Sequence, residues 1–277
     1  MAFVTLRDGA RISYQEFGFY EPWTQPDTIV MMHGFCRNSA FWYAWIPILA
    51  RQFRVLCPDL RGCGKSDIPN PGFAWSLQQL NDDLMDFMDA TGTAKAHFIG
   101  ESMGGMVMPS IYQRSGERIL SITACSSNIG LRGAFAKEMA GGSASMTEAI
   151  TSAPTLQHYI RKTEGSRLAA DEVSEQARAW YADEWAKTPR RIWQEWSEQL
   201  VPTIDVTPEL LKRIDCPLLF FGPSRCVKLS LEEARHWTDN APRSRLEIID
   251  SASQALAFAK AEQCADITVK FLMQSGR

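Results

Sequence analysis

Residues 96–108 read Ala96-His97-Phe98-Ile99-Gly100-Glu101-Ser102-Met103-Gly104-Gly105-Met106-Val107-Met108, and this stretch decides the fold. The apolar run at its start predicts a buried strand, the Gly-x-Ser-x-Gly sequence predicts a sharp turn, and the apolar residues that follow predict a helix. A glycine at each end of the turn relieves the crowding that a close backbone approach creates. The turn holds the serine oxygen at its tip, which makes Ser102 a candidate nucleophile.

Segments with strand and helix patterns alternate on both sides of this turn. A hairpin is predicted around Asp8-Gly9. Further strands are predicted at residues 28–32, 53–57, 119–124, 218–221 and 246–249. Helices are predicted at residues 41–49, 76–90, 231–237 and 255–272. Strands that alternate with crossover helices are typical of a mostly parallel α/β sheet.

Residues 130–207 interrupt this alternation. Small and polar residues come first, and helical segments rich in tryptophan follow. We interpret the stretch as a helical cap inserted into a core formed by residues 1–129 and 208–277. Such a cap would cover the carboxyl edge of the sheet, where ligands bind in α/β folds. Trp180 and Trp185 are our candidates for cap side chains that contact a substrate.

Composition limits the classes of partner. The chain has 277 residues, 45% of them hydrophobic, and a formal net charge of -3, so nucleic acid and anionic membrane surfaces are not expected as partners. No apolar run is long enough to cross a membrane, and no leader pattern is visible. The seven cysteines lack zinc-type spacing and are expected to be reduced thiols. We therefore expect a cytoplasmic protein with a small-molecule partner, no metal and no cofactor, and we make no prediction of its oligomeric state.

These segments together resemble the α/β-hydrolase family, in particular its small members with a helical cap. The resemblance covers nearly the whole chain. It is based on the turn at Ser102, on His33-Gly34-Phe35 after an early strand, and on the run from Pro58 to Ser66 after the next strand. It implies an α/β-hydrolase fold, with a mostly parallel sheet of about eight strands, flanking helices and a cap.

The same resemblance implies how a substrate carbonyl would be bound. By analogy with the family, the backbone N–H groups of Phe35 and Met103 form the oxyanion hole. Such donors stabilise negative charge that develops on a carbonyl oxygen. The run from Pro58 to Ser66 is structural in the family, so Asp59, Arg61 and Ser66 are expected to fix the loop.

The sequence departs from the family at the two partners of the serine. The family's catalytic acid follows the seventh strand, where this chain has Arg225 and Cys226. The family's histidine follows the last strand, where this chain has Gln254. Glutamine cannot exchange a proton near neutral pH, so it cannot take the proton of Ser102. We therefore predict a degenerate triad, in which hydrolysis by the usual route is disfavoured.

Other residues are candidates to replace the missing partners. His33 lies closest to the oxyanion hole in sequence, His158 could descend from the cap, and Cys226 could present a thiol. Glu101, beside the serine, is expected to point away from the substrate. The pocket is predicted to be apolar and aromatic, suited to a medium-sized carbonyl compound. Its expected substrate-binding residues, besides those of the oxyanion hole, are Cys36, Phe41, Trp42, His158, Trp180 and Trp185.

Three functional hypotheses follow from this pattern. The first is an esterase, lactonase or carbon–carbon hydrolase in which a displaced base assists Ser102. The second is a non-hydrolytic lyase, isomerase, cyclase, decarboxylase or cofactor-free oxygenase in which Ser102 donates a hydrogen bond and Gln254 orients the substrate. The third is a catalytically retired protein that binds a ligand without turnover. Fold alone does not separate them.

Overall fold

The computed structural model describes residues 1–130, 133–165 and 167–275. Its centre is one eight-stranded sheet in the order β1-β2-β4-β3-β5-β6-β7-β8. The strands are Ala2–Thr5 (β1), Arg11–Phe17 (β2), Thr28–Met32 (β3), Arg54–Pro58 (β4), Ala96–Glu101 (β5), Ile119–Cys125 (β6), Leu218–Pro223 (β7) and Ser244–Ile249 (β8). β1 pairs antiparallel with β2, and β2 pairs antiparallel with β4. The six strands β3 to β8 are parallel to one another. The predicted α/β-hydrolase fold is thus confirmed.

Helices pack around this sheet. The helices of the first half are Ile46–Leu49 (α1), Leu77–Ala90 (α2), Met103–Met106 (α3), Met108–Ser115 (α4), Gly133–Ala140 (α5), Met146–Ser152 (α6) and Leu156–Lys162 (α7). Those of the second half are Glu175–Trp185 (α8), Arg190–Glu195 (α9), Pro208–Lys212 (α10), Leu231–Asn240 (α11), Leu256–Ala259 (α12) and Ala261–Ser275 (α13). A π-helix at Trp196–Leu200 and 3₁₀-helices at Ser39–Trp42, Gly116–Arg118 and Val201–Thr203 complete the set. None of the helices in these described ranges is both long and apolar enough to cross a membrane.

Two predicted helices are shorter than expected. The segment 41–49 is divided into a 3₁₀-helix and α1, because Pro47 has no N–H and cannot lie inside a continuous helix. The last helix is divided at Lys260. There the carbonyl of Ala257 accepts a hydrogen bond from the indole N–H of Trp45, at 2.7 Å, where a continuous helix would use it internally.

Alternate residues of the central strands face two separate apolar cores. Ile29 and Met31 belong to one core, which α1 and α13 cover, whereas Val30 and Met32 belong to the other. The second core continues into the helices between α5 and α9. Within the described part of residues 130–207 there is no strand, which agrees with the predicted helical insertion. The division into core and cap stays a prediction.

Candidate active site

The turn between β5 and α3 holds Ser102 in a strained backbone conformation. Its φ is +53° and its ψ is -119°. A residue other than glycine pays about 1 to 3 kcal/mol for such a conformation, and this strain concentrates at functional sites. Ser126, which follows the neighbouring strand β6, also has a positive φ, of +46°. The strained residues therefore lie together at the carboxyl edge of the sheet.

The flanking glycines are required by close backbone contacts. A Cβ atom on Gly100 would lie 2.5 Å from the carbonyl of Gly104, and a Cβ atom on Gly104 would lie 2.2 Å from the carbonyl oxygen of Met32. Real Cβ atoms do not approach backbone this closely. The turn can therefore form against β3 only if both positions are glycine, which is the physical reason for the Gly-x-Ser-x-Gly pattern.

Two backbone amides are available beside the serine. Met103 is the first residue of α3, so its N–H has no partner inside the helix. Phe35 lies in the turn after β3 and lines the same cavity as Met103 and Ser102. Among the residues that the structure describes, neither amide donates a hydrogen bond. This arrangement is compatible with the oxyanion hole that the sequence predicts.

A small cavity lies over Ser102. Its volume is about 30 Å³, enough for one or two water molecules. The lining residues are Phe35, Arg37, Ser102, Met103, Met106, Met139, Met146, Arg167, Trp185, Val201, Ile204 and Gln254. Four of them are methionines, whose unbranched side chains adapt readily to a ligand. The cavity is thus small in this structure, and much of its wall consists of side chains that can rearrange.

Gln254, which the sequence predicts at the position of the family's histidine, lies at the Ser102 cavity. It is buried and lines the cavity with Ser102, and its Nε2 donates a 3.1 Å hydrogen bond to the carbonyl of Ser126. Neither a histidine nor a carboxylate lines this cavity in the described ranges. The Ser102 hydroxyl has no hydrogen-bond partner among those residues. The cavity therefore offers Ser102 no side chain that could accept its proton near neutral pH.

His33 is fixed in a structural position. Its Nδ1 donates to the carbonyl of Gly34 at 2.8 Å, and its Nε2 accepts the N–H of Leu60 at 2.9 Å. Burial lowers the pKa of His33 to about 4, so the ring is neutral at pH 7. Both ring nitrogens are occupied, and the ring does not line the Ser102 cavity. These contacts argue against the hypothesis that His33 acts as a displaced base.

Burial of neutral His33 makes stability depend on pH. In the unfolded chain histidine titrates near about 6.5, whereas His33 in the folded chain titrates at about 4. Between these values the unfolded chain binds one more proton, so the free energy of unfolding should fall as the pH drops. A His33→Asn variant should lack this part of the pH dependence in urea titrations. The exposed His158→Asn variant is the control, and parallel profiles for His33→Asn and wild type would contradict the prediction.

Other predicted pocket residues lie elsewhere. His158 is exposed on α7 and lines a separate surface cavity with Lys162, so it does not reach Ser102. Trp180 is partly exposed and stacks on Phe258. Cys36 is fully buried within the core, next to Cys63. These three assignments are corrected, because helix direction and core packing turn the side chains away from the cavity.

Phe41 and Trp42 line a second, smaller space on the other side of Arg37. The Phe41 ring lies 5.4 Å from the Arg37 guanidinium carbon, and Trp42 packs edge-on against Trp45. The expectation that both rings contact a substrate at Ser102 is therefore corrected as well. Trp185 does line the Ser102 cavity, and its indole N–H donates to the carbonyl of Phe35 at 2.7 Å.

Cys226 lies in the turn after β7 and outside the Ser102 cavity. The backbone N–H of Lys228 donates to its sulfur at 3.3 Å. Burial raises the pKa of the Cys226 thiol, which keeps it protonated and argues against a nucleophilic role. The turn is nonetheless beside the loop of Gln254, because the Arg225 N–H donates to the carbonyl of Ser251 at 2.9 Å. The two positions that would complete a triad thus lie in adjacent loops.

An ion pair between Arg37 and Glu101 is buried beside the elbow, the sharp turn of residues 100–104 that carries Ser102. Burial raises the pKa of the Glu101 carboxyl, and the Arg37 guanidinium opposes that rise. Glu101 faces the smaller space beside Phe41, as the sequence predicted when it placed this side chain away from the substrate. The sequence does not predict Arg37 as a site residue, because no motif marks its position in the loop after β3.

The Glu172 carboxylate, in the segment between α7 and α8, holds the loop that carries Gln254. Glu172 accepts hydrogen bonds from the Ser251 hydroxyl at 2.5 Å, the Ala252 N–H at 2.8 Å and the Ser253 hydroxyl at 2.9 Å. Burial alone would raise the pKa of Glu172, but these donors lower it below its ordinary value. The Ala255 N–H also donates to the carbonyl of Arg167 at 2.9 Å. Residues 167–172 and residues 251–255 therefore form one hydrogen-bonded unit.

No cluster of metal ligands accompanies this site. Within residues 1–130, 133–165 and 167–275, no group of three or more His, Cys, Asp or Glu side chains is arranged to hold a metal ion. The polar groups that face the cavity are a hydroxyl, an amide and two guanidinium groups. These groups suit a ligand with hydrogen-bond acceptors or negative charge.

Comparison with known proteins agrees with the fold. The model of the α/β-hydrolase fold family matches residues 27–253. A hydrolase structure from Pseudomonas aeruginosa superposes with a TM-score of 0.83 at 22% identity and covers 98% of this chain and 97% of its own. An enol-lactonase structure from Burkholderia xenovorans superposes with a TM-score of 0.80 at 20% identity, over 98% of this chain and all of its own length. This chain therefore belongs to the α/β-hydrolase family.

Two curated relatives were also compared by sequence. The "Putative carbamate hydrolase RutD" of Stutzerimonas stutzeri is 25% identical over 94% of this chain and 96% of its own length. The 3-oxoadipate enol-lactonase 1 of Acinetobacter baylyi is 36% identical over 45% of this chain, and the match spans 44% of that enzyme. These are similarities, and the activities belong to the named proteins.

Proposed function

We propose that this chain is an enzyme that binds a medium-sized, largely apolar carbonyl compound and polarises its carbonyl without a Ser-His-Asp triad. In this proposal the carbonyl oxygen lies between the amides of Phe35 and Met103. The Ser102 hydroxyl donates a further hydrogen bond, and Gln254 orients the substrate through its side-chain amide. The observation that carries the proposal is the cavity itself, which combines Ser102 and both amides with no imidazole or carboxylate among its described lining.

This arrangement suits reactions in which charge develops on a carbonyl oxygen and Ser102 keeps its proton. Decarboxylation forms such an enolate without a base, because the electron pair of the broken C–C bond moves to the carbonyl oxygen as CO2 leaves. Elimination, isomerisation, cyclisation and cofactor-free oxygen chemistry form an oxyanion here when water or the substrate itself accepts the proton. Preorganised donors lower the energy of that species in a site that excludes water. Loss of one such donor typically costs about 10²- to 10³-fold in rate. The proposed enzyme therefore retains the electrostatic part of the family's machinery.

The seven cysteines are free thiols in the structure. Reduced thiols support a reducing compartment, so we propose a cytoplasmic location and a small-molecule partner.

Binding of a simple ketone tests the proposal directly. We expect the infrared C=O stretching band of 2-pentanone to move below its position in water when the ketone binds, because the oxyanion-hole donors polarise the carbonyl. A Ser102→Ala variant should show a smaller displacement, since one donor is lost. The exposed Ser152→Ala variant in α6 is the matched control. A bound band at its aqueous position would contradict the proposal.

Hydrolysis at Ser102 is the second candidate, and the relatives favour it. Proteins with names such as enol-lactonase and carbamate hydrolase are similar to this chain in sequence or in fold. Steady-state release of p-nitrophenol from p-nitrophenyl acetate, abolished by Ser102→Ala, would support this second candidate and overturn the first.

A further inference from the structure

Arg167 brings a buried positive charge into the Ser102 cavity. Arg167 lies between α7 and α8, and only 1% of its surface is exposed to solvent. It lines the cavity together with Ser102 and Gln254. Burial lowers the pKa of its guanidinium. Arginine nevertheless remains protonated in proteins, so the side chain carries its charge into an apolar space.

The contacts of this guanidinium are neutral. Its Nη1 donates to the Thr163 hydroxyl and to the carbonyl of Ile160, and its Nη2 lies 3.3 Å from the sulfur of Met139. Its carbon lies 4.6 Å from the centre of the Trp185 ring and 5.7 Å from that of Tyr159. None of these partners is anionic at neutral pH.

The other titratable groups near Arg167 do not neutralise it. Burial raises the pKa of Tyr159 and raises that of Tyr181 to about 12, so both phenols keep their protons. Arg37 is itself a cation, and its charge is matched by Glu101. The described residues around the cavity therefore leave one positive charge uncompensated.

The two other buried arginines provide an internal comparison. Arg37 pairs with Glu101, and Arg61 pairs with Asp83 and Asp8. Arg167 is the one buried arginine in the described ranges that no carboxylate accompanies. A buried charge without a counter-ion is costly, so proteins supply a partner or leave the place to a ligand.

We propose that the ligand of the Ser102 cavity carries a carboxylate that pairs with Arg167. The inference rests on the proposed function, because it places the carbonyl of the same ligand at Phe35 and Met103. The substrate class is then an oxo-carboxylic acid or a related acid with a second carbonyl group. A monoanion fits better than a phosphate, because one uncompensated guanidinium matches one negative charge and the rest of the cavity is mainly apolar.

Trp185 links the two ends of this binding site. The centre of its ring lies 4.6 Å from the Arg167 guanidinium carbon. Its indole N–H donates a 2.7 Å hydrogen bond to the carbonyl of Phe35. Trp185 therefore contacts both the arginine assigned to the carboxylate and the residue whose amide is assigned to the carbonyl.

Three matched probes test this inference. They are 4-oxopentanoate, its neutral amide 4-oxopentanamide, and pentanoate, which lacks the ketone. We expect titration calorimetry to show 4-oxopentanoate binding roughly tenfold to a hundredfold more tightly than the amide, as a charge-assisted pair predicts. Equal affinity for the acid and the amide, or no saturable binding of 4-oxopentanoate up to its solubility limit, would overturn the inference.

Variants assign the preference to Arg167. Arg167→Met should remove the discrimination between acid and amide, and Arg167→Lys should retain part of it because the charge remains. Arg161→Met, which removes a partly exposed arginine of α7, is the matched control and should leave the preference unchanged. A preserved preference in a folded Arg167→Met variant would also overturn the inference. If Arg167→Met does not fold, the Arg167→Lys result and the probe comparison decide.

Pentanoate separates this inference from the proposed function. If pentanoate binds as tightly as 4-oxopentanoate while the amide binds weakly, the carboxylate site stands and the carbonyl proposal fails. If 4-oxopentanoate and the amide bind equally and pentanoate binds weakly, the carbonyl proposal stands and the carboxylate site fails.

Discussion

A Gln254→His, Cys226→Asp double variant should hydrolyse p-nitrophenyl acetate at least about 10³-fold faster than the wild-type chain. The histidine would supply the base that Ser102 lacks, and the aspartate would orient its ring and stabilise the imidazolium. Removal of the histidine from a serine protease lowers the turnover rate by a factor on the order of 10⁶, so adding a histidine here should raise the hydrolysis rate strongly. Initial rates of p-nitrophenol release measure the effect.

The structure supports these two positions. Gln254 already lines the cavity with Ser102, and the turn of Cys226 is hydrogen-bonded to the loop of Gln254 through Arg225 and Ser251. The single Gln254→His variant should gain less, because its imidazole would lack an orienting carboxylate.

Adding Ser102→Ala to the double variant provides the control, since the gain must depend on the nucleophile. A folded double variant with wild-type rates would show that residues 226 and 254 do not meet at Ser102, and the alignment of this site with the family would then be wrong.

A Gly104→Ala variant should lose about 3 kcal/mol or more of its free energy of unfolding. The added Cβ would lie 2.2 Å from the carbonyl oxygen of Met32 and 2.7 Å from that of His33. Both obstacles are backbone atoms, so neither can rotate away as a side chain could. Relief would require β3 and the elbow to separate, which would also move Ser102 away from the Phe35 amide. Urea unfolding followed by tryptophan fluorescence measures the loss.

Gly165→Ala is the matched control for this variant. A Cβ on Gly165 meets no heavy atom within 4 Å, and its backbone is not in the left-handed region. The control should therefore change the free energy of unfolding by less than about 0.5 kcal/mol. Equal stability of the two variants would refute the claim that close backbone contact requires glycine at position 104.

The central features of the fold could be predicted because they depend on local patterns. The strand Thr28–Met32 is buried throughout and apolar after its first residue, since a strand of a parallel sheet is buried on both faces. The segment around Pro47 shows the limit of such patterns. Its apolar spacing resembles one helix, but the missing N–H of proline divides it.

The site could be predicted where a motif fixes the backbone. Ser102 and Gln254 were expected at the site from the elbow and from the order of the strands, and both line the cavity. Their chemical roles stay predictions. Arg167 could not be found in this way, because several arginines lie between residues 130 and 207 and no periodicity marks the one that is buried. The position of His158 away from the Ser102 cavity could not be predicted for the same reason, since the direction of a short helix depends on tertiary packing.

The bonds from Glu172 to residues 251–253 have a consequence for ligand exchange. The space over Ser102 is too small for a ketone acid unless its wall moves, and Arg167 forms part of that wall. Residues 167–172 are hydrogen-bonded to the loop of Gln254. We therefore expect an outward displacement of Arg167 on ligand entry to shift Gln254 as well.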